Sequence, residues 1–242
     1  KKHTFDTTPW PTHVTLENFQ DALATDKGND FLGAIGNSLI ISVSTTTLAV
    51  LVGVFTAYAL ARLEFPGKGL VTGIILAASM FPGIALVTPL FQLFGDLGWI
   101  GTYRAMIIPN ISFALPLTIY TLVSFFRQLP WELEEAARVD GASRGQAFRL
   151  VLLPLAAPAL FTTAILAFIA TWNEFMLARQ LSTTATEPVT VAIARFSGPS
   201  AFEYPYASIM AAGALVTIPL IVMVLIFQRR IVSGLTAGGV KA

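Results

Sequence analysis

The chain has 242 residues, 55% of them hydrophobic and 12% charged, where a soluble domain carries about 25% charged residues, so a lipid bilayer is its first-line environment. A net charge of +1 excludes a nucleic-acid surface, which needs an excess of Lys and Arg to neutralise phosphates. The lack of Cys excludes disulfides, Cys-ligated zinc and iron–sulfur clusters, and the two histidines, His3 and His13, lie in the polar N-terminal segment, so an intramembrane His catalyst or metal cage cannot be built.

In chain order, residues 1–36 read as an external loop, in which WPTHVTLENFQDAL forms a proline-led turn and a short helix with Thr15 as N-cap. Uncharged runs long enough to cross the hydrocarbon core as helices follow at residues 37–61, 69–95, 105–126, 150–173 and 204–228. The sequence therefore predicts an all-α, polytopic membrane protein with five spans. Pro82, Pro89, Pro109, Pro116, Pro154, Pro158 and Pro219 fall within these runs. Proline at membrane depth is tolerated where neighbours or a water-filled cavity satisfy the freed carbonyls, as in transporters, although proline is also commoner in membrane helices generally. Gly69 and Gly73 form a GxxxG at the edge of a run, which predicts helix packing.

Arg62, Lys68, Arg127, Arg138, Arg144, Arg149, Arg229, Arg230 and Lys241 fall on one side of such a bundle, and Lys1, Lys2, Lys27, Arg104, Arg179 and Arg195 on the other. The positive-inside rule makes the first side cytoplasmic, with residues 179–203 as an external loop and 229–242 as a cytoplasmic tail. Five spans then put the N-terminus outside, and a further hydrophobic span is expected ahead of Lys1.

The most charged stretch, EEAARVDGASRGQAFRLVLLP at residues 134–154, lies on the cytoplasmic side between two uncharged runs. Pro130 followed by Glu132, Glu134 and Glu135 suits a helix start, because acids offset the positive end of the dipole. Gly141 can take the left-handed conformation that ends this helix, and Ser143 with Gln146 makes a capping box that starts another. Ala136, Ala137, Gly141 and Ala142 leave the turn with almost no bulk, so another backbone can come close. A helix lying on the inner leaflet would instead be rich in Lys and Arg, and three glutamates beside anionic lipid are unfavourable. Docking onto a cytoplasmic protein is the reading these residues favour.

Glu135-Ala136-Ala137, three residues, Gly141, nine residues and Val151-x-Leu153-Pro154 resemble the EAA loop of permease subunits of bacterial ABC importers, EAA-x3-G-x9-I-x-L-P, with Val in place of Ile as the departure. The tail GLTAGGVKA (234–242) and the stretches TLENF (15–19), ARLEFPGK (61–68) and WNEF (172–175) are similar to the MalG-type carbohydrate-uptake members. The resemblance covers essentially the whole chain. It implies a six-span permease fold with a permease domain over residues 37–242 and a coupling loop at 130–153. Glu135, Ala136, Ala137, Asp140, Gly141 and Ala142 would dock in a cleft of an ATPase dimer. Gly234, Gly238, Gly239 and Lys241 would reach between the ATPase subunits. Gly198, Pro199 and Ser200, a tight turn in the external loop, would enter the cleft of an extracytoplasmic sugar-binding protein. The other implied partners are a second, homologous permease subunit, the lipid bilayer and a sugar, of which a disaccharide such as trehalose or maltose comes first.

Sugars are held by aromatic stacking and planar hydrogen-bonding groups, which Asn110, Tyr120, Trp172, Asn173 and Glu174 could offer along the path. Trp at the membrane interface and solvated Asn or Glu are equally plain readings of the last three. Nowhere does Gly-x4-Gly-Lys-Ser/Thr occur, so ATP and magnesium are expected on partner subunits, with no cofactor and no catalysis in this chain. An ion-coupled secondary transporter would want ionisable groups deep in the membrane, and Glu174 is the lone candidate. An ABC permease for something other than a sugar is the remaining alternative.

Overall fold

The structure, a computed structural model, describes residues 15–23, 30–196 and 206–237. Among the described residues every regular element is helical. Helix α1 (Glu17–Leu23) begins where expected, with the Glu17 N–H donating to Thr15 Oγ1 at 3.1 Å. Helix α2 (Phe31–Arg62) starts ahead of the uncharged run, because the Asp30 carboxylate accepts the Gly33 N–H at 2.9 Å and caps it. Residues 31–36 therefore belong to the bundle and not to a loop. With 32 residues α2 is about 48 Å long, ample for a hydrocarbon core of about 30 Å.

Helix α3 (Lys68–Ser79) is followed by a 3-10 turn (Gly83–Leu86) and α4 (Val87–Asp96), and the two halves meet at 87°. Helix α5 (Tyr103–Gln128) is continuous. Helix α6 (Glu132–Val139) leads to α7 (Arg144–Ala147), a π-helical turn (Phe148–Leu152) and α8 (Leu153–Leu155), which meet α9 (Ala157–Trp172) at 70°. The short helices α10 (Met176–Leu181) and α11 (Val189–Ala194) precede α12 (Tyr206–Ala237). Helices α2, α5 and α12 are each long and apolar enough to cross a membrane, and the total reaches five if each bent pair is one span.

The runs at 69–95 and 150–173 are thus not straight spans. Proline has no N–H and disfavours helix at the residue before it, and Pro82 sits in the first break while Pro154 and Pro158 flank the second. Pro109, Pro116 and Pro219 lie inside unbroken helices. Side chains of these helices reach back to carbonyls near the prolines: Asn110 Nδ2 donates to Met106 O at 2.9 Å, Ser112 Oγ to Ile108 O at 3.3 Å and Thr217 Oγ1 to Gly213 O at 2.9 Å.

Helix α2 is the spine. Its buried face is mostly small, with Ala34, Ser38, Ser42, Thr45, Ala49, Gly53 and Ala57, which lets α5 and α9 pack along it. At one end Phe31, Phe168, Trp172 and Val189 form a cluster joining α2, α9 and α11. At the other, Val54, Ala57, Leu122, Phe126, Phe148 and Leu152 join α2 and α5 to the π-helical turn. A third cluster, with Ile41, Met106, Leu177 and Leu181, seats α10. Gly69 and Gly73 have nothing within 4 Å of a Cβ position, and α3 buries no residue, so this GxxxG packs no helix among the described residues.

Candidate functional site

The segment between α5 and α9 folds as a backbone-closed elbow. The Glu134 and Glu135 N–H groups donate to Trp131 O at 3.0 and 3.2 Å, which starts α6. Its end is a Schellman motif, in which the Ala142 N–H donates to Ala137 O at 3.0 Å and the Gly141 N–H to Arg138 O at 3.1 Å. Gly141 takes φ +90°, the conformation the sequence assigns to it. The capping box follows, with the Gln146 N–H donating to Ser143 Oγ at 3.3 Å and the Ser143 N–H to Gln146 Oε1 at 2.7 Å. Each end of the turn is fixed by its own hydrogen bonds, so the elbow holds its shape without a partner.

Glu135, Ala136, Asp140 and Gly141 are exposed on it, while Ala137 and Ala142 are half-buried. Val139 is 86% exposed, an apolar residue at the tip between exposed Arg138 and Asp140. Val139 carries no signal in sequence, because a lone Val in a charged stretch has no periodicity. An apolar tip ringed by charges is the anatomy of a protein-binding surface.

Beneath the elbow, Tyr58 Oη donates to Glu134 Oε1 at 3.0 Å and Arg62 Nη2 to Leu129 O at 2.6 Å. The Arg62 guanidinium lies 4.4 Å from the centre of the Trp131 ring, and the Tyr58 ring 4.6 Å from that of Phe148. No sequence signal joins Tyr58, Arg62 and Glu134, since their meeting is set by how α6 folds back on α2.

At the opposite end, Asn37 uses its whole amide. Its Nδ2 donates to Glu187 O at 3.0 Å and Ala185 O at 3.2 Å, and its Oδ1 accepts from Tyr103 Oη at 2.6 Å. Ser38 Oγ accepts the Val189 N–H at 2.8 Å, and Thr186 Oγ1 donates to Gly101 O at 3.2 Å. Residues 182–189 are thereby tied to α2 and to the start of α5. Glu187 is buried and paired with Arg195; burial pushes its carboxyl above the ordinary range against the pull of Arg195 and Arg179.

The path candidates part company. Trp172 is 1% exposed and stacked on Phe168, and Asn173 Nδ2 donates to Ile169 O of its own helix at 2.8 Å. Glu174 caps α10, its Oε1 accepting the Leu177 N–H at 2.8 Å and its Oε2 the Ala178 N–H at 3.0 Å. Asn110 is buried and lines, with Ser42, Thr171 and Glu174 and with the apolar Ile41 and Met106, a cavity of about 10 Å³, room for about one water. Tyr120 is 62% exposed, on an α5 face with exposed Ser112, Phe113, Leu117 and Ser124. The turn of Gly198, Pro199 and Ser200 lies outside the described residues, as do Gly238, Gly239 and Lys241. Gly234 lies within α12, so the tail expected from residue 229 starts as helix through Ala237. Among the described residues no cluster of His, Asp and Glu could hold a metal ion.

Residues 49–236 match the model of a family described as the binding-protein-dependent transport system inner membrane component. The trehalose transport system permease protein SugB of Mycobacterium tuberculosis is 53% identical over 232 residues, covering 96% of this chain and 84% of that one. The trehalose/maltose transport system permease protein MalG of Thermococcus litoralis is 46% identical over 228 residues, covering 94% and 81%. In fold, a chain from a bacterial ABC transporter that imports the acidic polysaccharide alginate superposes with a TM-score of 0.75 at 24% identity, over 90% of this chain and 80% of that one.

Proposed function

The chain belongs to the family of binding-protein-dependent transport system inner membrane components, and from that premise we propose that it is one permease subunit of an ABC importer for a sugar, with trehalose or maltose first among the candidates. It lies in the cytoplasmic membrane, pairs with a second permease subunit and takes sugar from an extracytoplasmic binding protein. It hydrolyses nothing itself. The elbow faces the cytoplasm, where Lys and Arg concentrate, and docks on an ATPase dimer that binds ATP and magnesium.

One observation carries the coupling reading: a backbone-closed elbow with small residues, an apolar tip and a charged rim stands at the position of the EAA pattern. Glu135, Ala136, Ala137, Asp140, Gly141 and Ala142 make the docking contacts, with Val139 at their centre. ATPase closure pushes on the elbow and rocks the bundle between outward- and inward-open states. The tail with Gly234, Gly238, Gly239 and Lys241 reaches the ATPase pair, and the turn of Gly198, Pro199 and Ser200 meets the binding protein. The identity to trehalose and maltose permeases supports the sugar class.

Tyr120 belongs to the sugar path, since a phenol exposed at membrane depth finds no partner in lipid. Asn110 and Glu174 line a small cavity inside the bundle that Tyr120 does not reach, so their part in the path is the weaker claim, while Trp172 and Asn173 serve packing and helix ends. Reconstitution with the ATPase, the second permease and the binding protein tests the whole. Sugar plus binding protein raises ATP hydrolysis, and Gly141→Asp uncouples uptake from hydrolysis while the chain still inserts. Unchanged sugar uptake in Gly141→Asp would overturn the docking reading.

A further inference from the structure

Two opposite charges are buried at the root of the elbow: Arg62, the last residue of α2, is 5% exposed and Glu134, in the first turn of α6, 7% exposed. Burying charges is costly, and well-packed apolar residues of similar size often give an equal or more stable joint. Their use is therefore in what they hold. Arg62 donates to Leu129 O just where α5 has ended, in a stretch whose last carbonyls have no helical partner. Its guanidinium covers Trp131, at the N-cap of α6. Tyr58, one turn earlier on the same face of α2, reaches Glu134 in α6, and its ring packs on Phe148 in the π-helical turn. Side chains four residues apart on one helix thus grip both sides of the link between α5 and α6.

That link needs a grip, because Leu129 is extended (φ −70°, ψ 135°) and Pro130 follows it. A non-helical joint of this kind bends under load. The adjacent glutamates divide the labour, Glu134 facing the chain's own bundle and Glu135 facing outward. Arg62 Nε and Nη1 and Glu134 Oε2 have no partner among the described residues, so both groups keep capacity to stay engaged as α6 tilts.

We propose that Tyr58, Arg62 and Glu134 are positioning residues that lock α6 to α2. Tilt of the elbow then goes to α2, and to α5 and α9 packed along it, instead of being absorbed at residues 129–131. The lock rests on the coupling reading above. Its test is sugar moved per ATP hydrolysed by the full importer in proteoliposomes, read beside ATPase-subunit affinity for the permease. Tyr58→Phe, which removes one hydroxyl, and Glu134→Ala lower the ratio by about fivefold or more with affinity unchanged, and Glu134→Gln, which keeps an acceptor for the phenol, retains more of it than Glu134→Ala. A structural role alone would lower uptake and hydrolysis in proportion. A native ratio in Tyr58→Phe overturns the lock, also where Glu134→Ala fails to fold. Gly141→Asp separates the two ideas: if it leaves ATPase-subunit affinity and sugar uptake intact, the docking reading itself has failed.

Discussion

A Cβ at Gly53 would stand 2.5 Å from Thr118 Cγ2, whereas one at Gly141 would meet nothing within 4 Å. The two glycines are therefore sensitive for different reasons. Gly53→Ala forces α2 and α5 apart at their crossing and costs about 1–3 kcal/mol, read as a lower melting temperature of the detergent-solubilised protein. At Gly141 space is free and the backbone at φ +90° is the constraint, so Gly141→Ala costs about 1 kcal/mol and Gly141→Asn less, because Asn tolerates the left-handed region. Melting temperatures in the order glycine, Asn, Ala check this; a Gly141→Ala protein as stable as the native one would contradict it. Gly141 was legible in sequence, because Asp-Gly ahead of a capping box is a local signal. Gly53 was not, since its tight neighbour comes from residue 118 on another helix. Gly69 and Gly73 have the right spacing and yet pack on nothing among the described residues, for spacing describes one helix and says nothing of what lies opposite.

At the level of elements, run length located five apolar stretches and missed the path of two of them, so three are single helices and five crossings are reached only if each bent pair crosses once. Counting uncharged residues cannot tell a straight helix from two halves meeting at 87° or 70°. Proline narrows the choice without deciding it, as Pro82 breaks a helix that Pro109 does not. Asn110 and Ser112 donate to Met106 O and Ile108 O beside Pro109, contacts that show only once the helix is folded. The elbow was legible almost bond by bond, because its caps join residues at most five apart. The tie between residues 182–189 and α2 was hidden, since Asn37 meets Glu187 across 150 positions. That segment has its own pH signature. Glu187 has a raised pKa in the folded chain, so between the ordinary Glu value and the raised one the folded state holds a proton that the unfolded state has lost. Stability from this group is full below that window and is lost as pH rises through it. In Glu187→Gln the loss is absent, so the melting temperature of Glu187→Gln minus that of the native protein increases as pH is raised from the ordinary Glu range, and levels off once the raised pKa is passed. A difference that is flat or falls across this range would contradict the assignment.

Across the whole molecule, the exposed faces of α2 and α5 differ in kind. Leu39, Ile40, Val43, Leu48, Leu51, Val52 and Phe55 make the exposed side of α2 apolar over most of its length, which suits lipid. The exposed side of α5 mixes Phe113 and Leu117 with Ser112, Tyr120 and Ser124. Tyr120 lies 17 residues into α5, about 26 Å along an axis of about 39 Å, and so within a centred hydrocarbon slab of about 30 Å. Polar groups at that depth belong beside water or protein. On the proposed reading the face of α5 belongs to the path and that of α2 to the bilayer. Because these 242 residues contain no Cys, a single-Cys variant adds the one thiol of this stretch, and the importer without that substitution sets the labelling background. In the assembled importer Tyr120→Cys reacts with a membrane-impermeant maleimide, faster when ATP and binding protein cycle the bundle, and sugar slows the reaction. Leu51→Cys, buried in lipid where the thiolate does not form, stays unlabelled under the same conditions. Equal labelling at the two positions would remove the distinction between the faces. Absence of labelling at Tyr120→Cys in every state would mean that this side of α5 is sealed against the second permease subunit, with the sugar passing elsewhere.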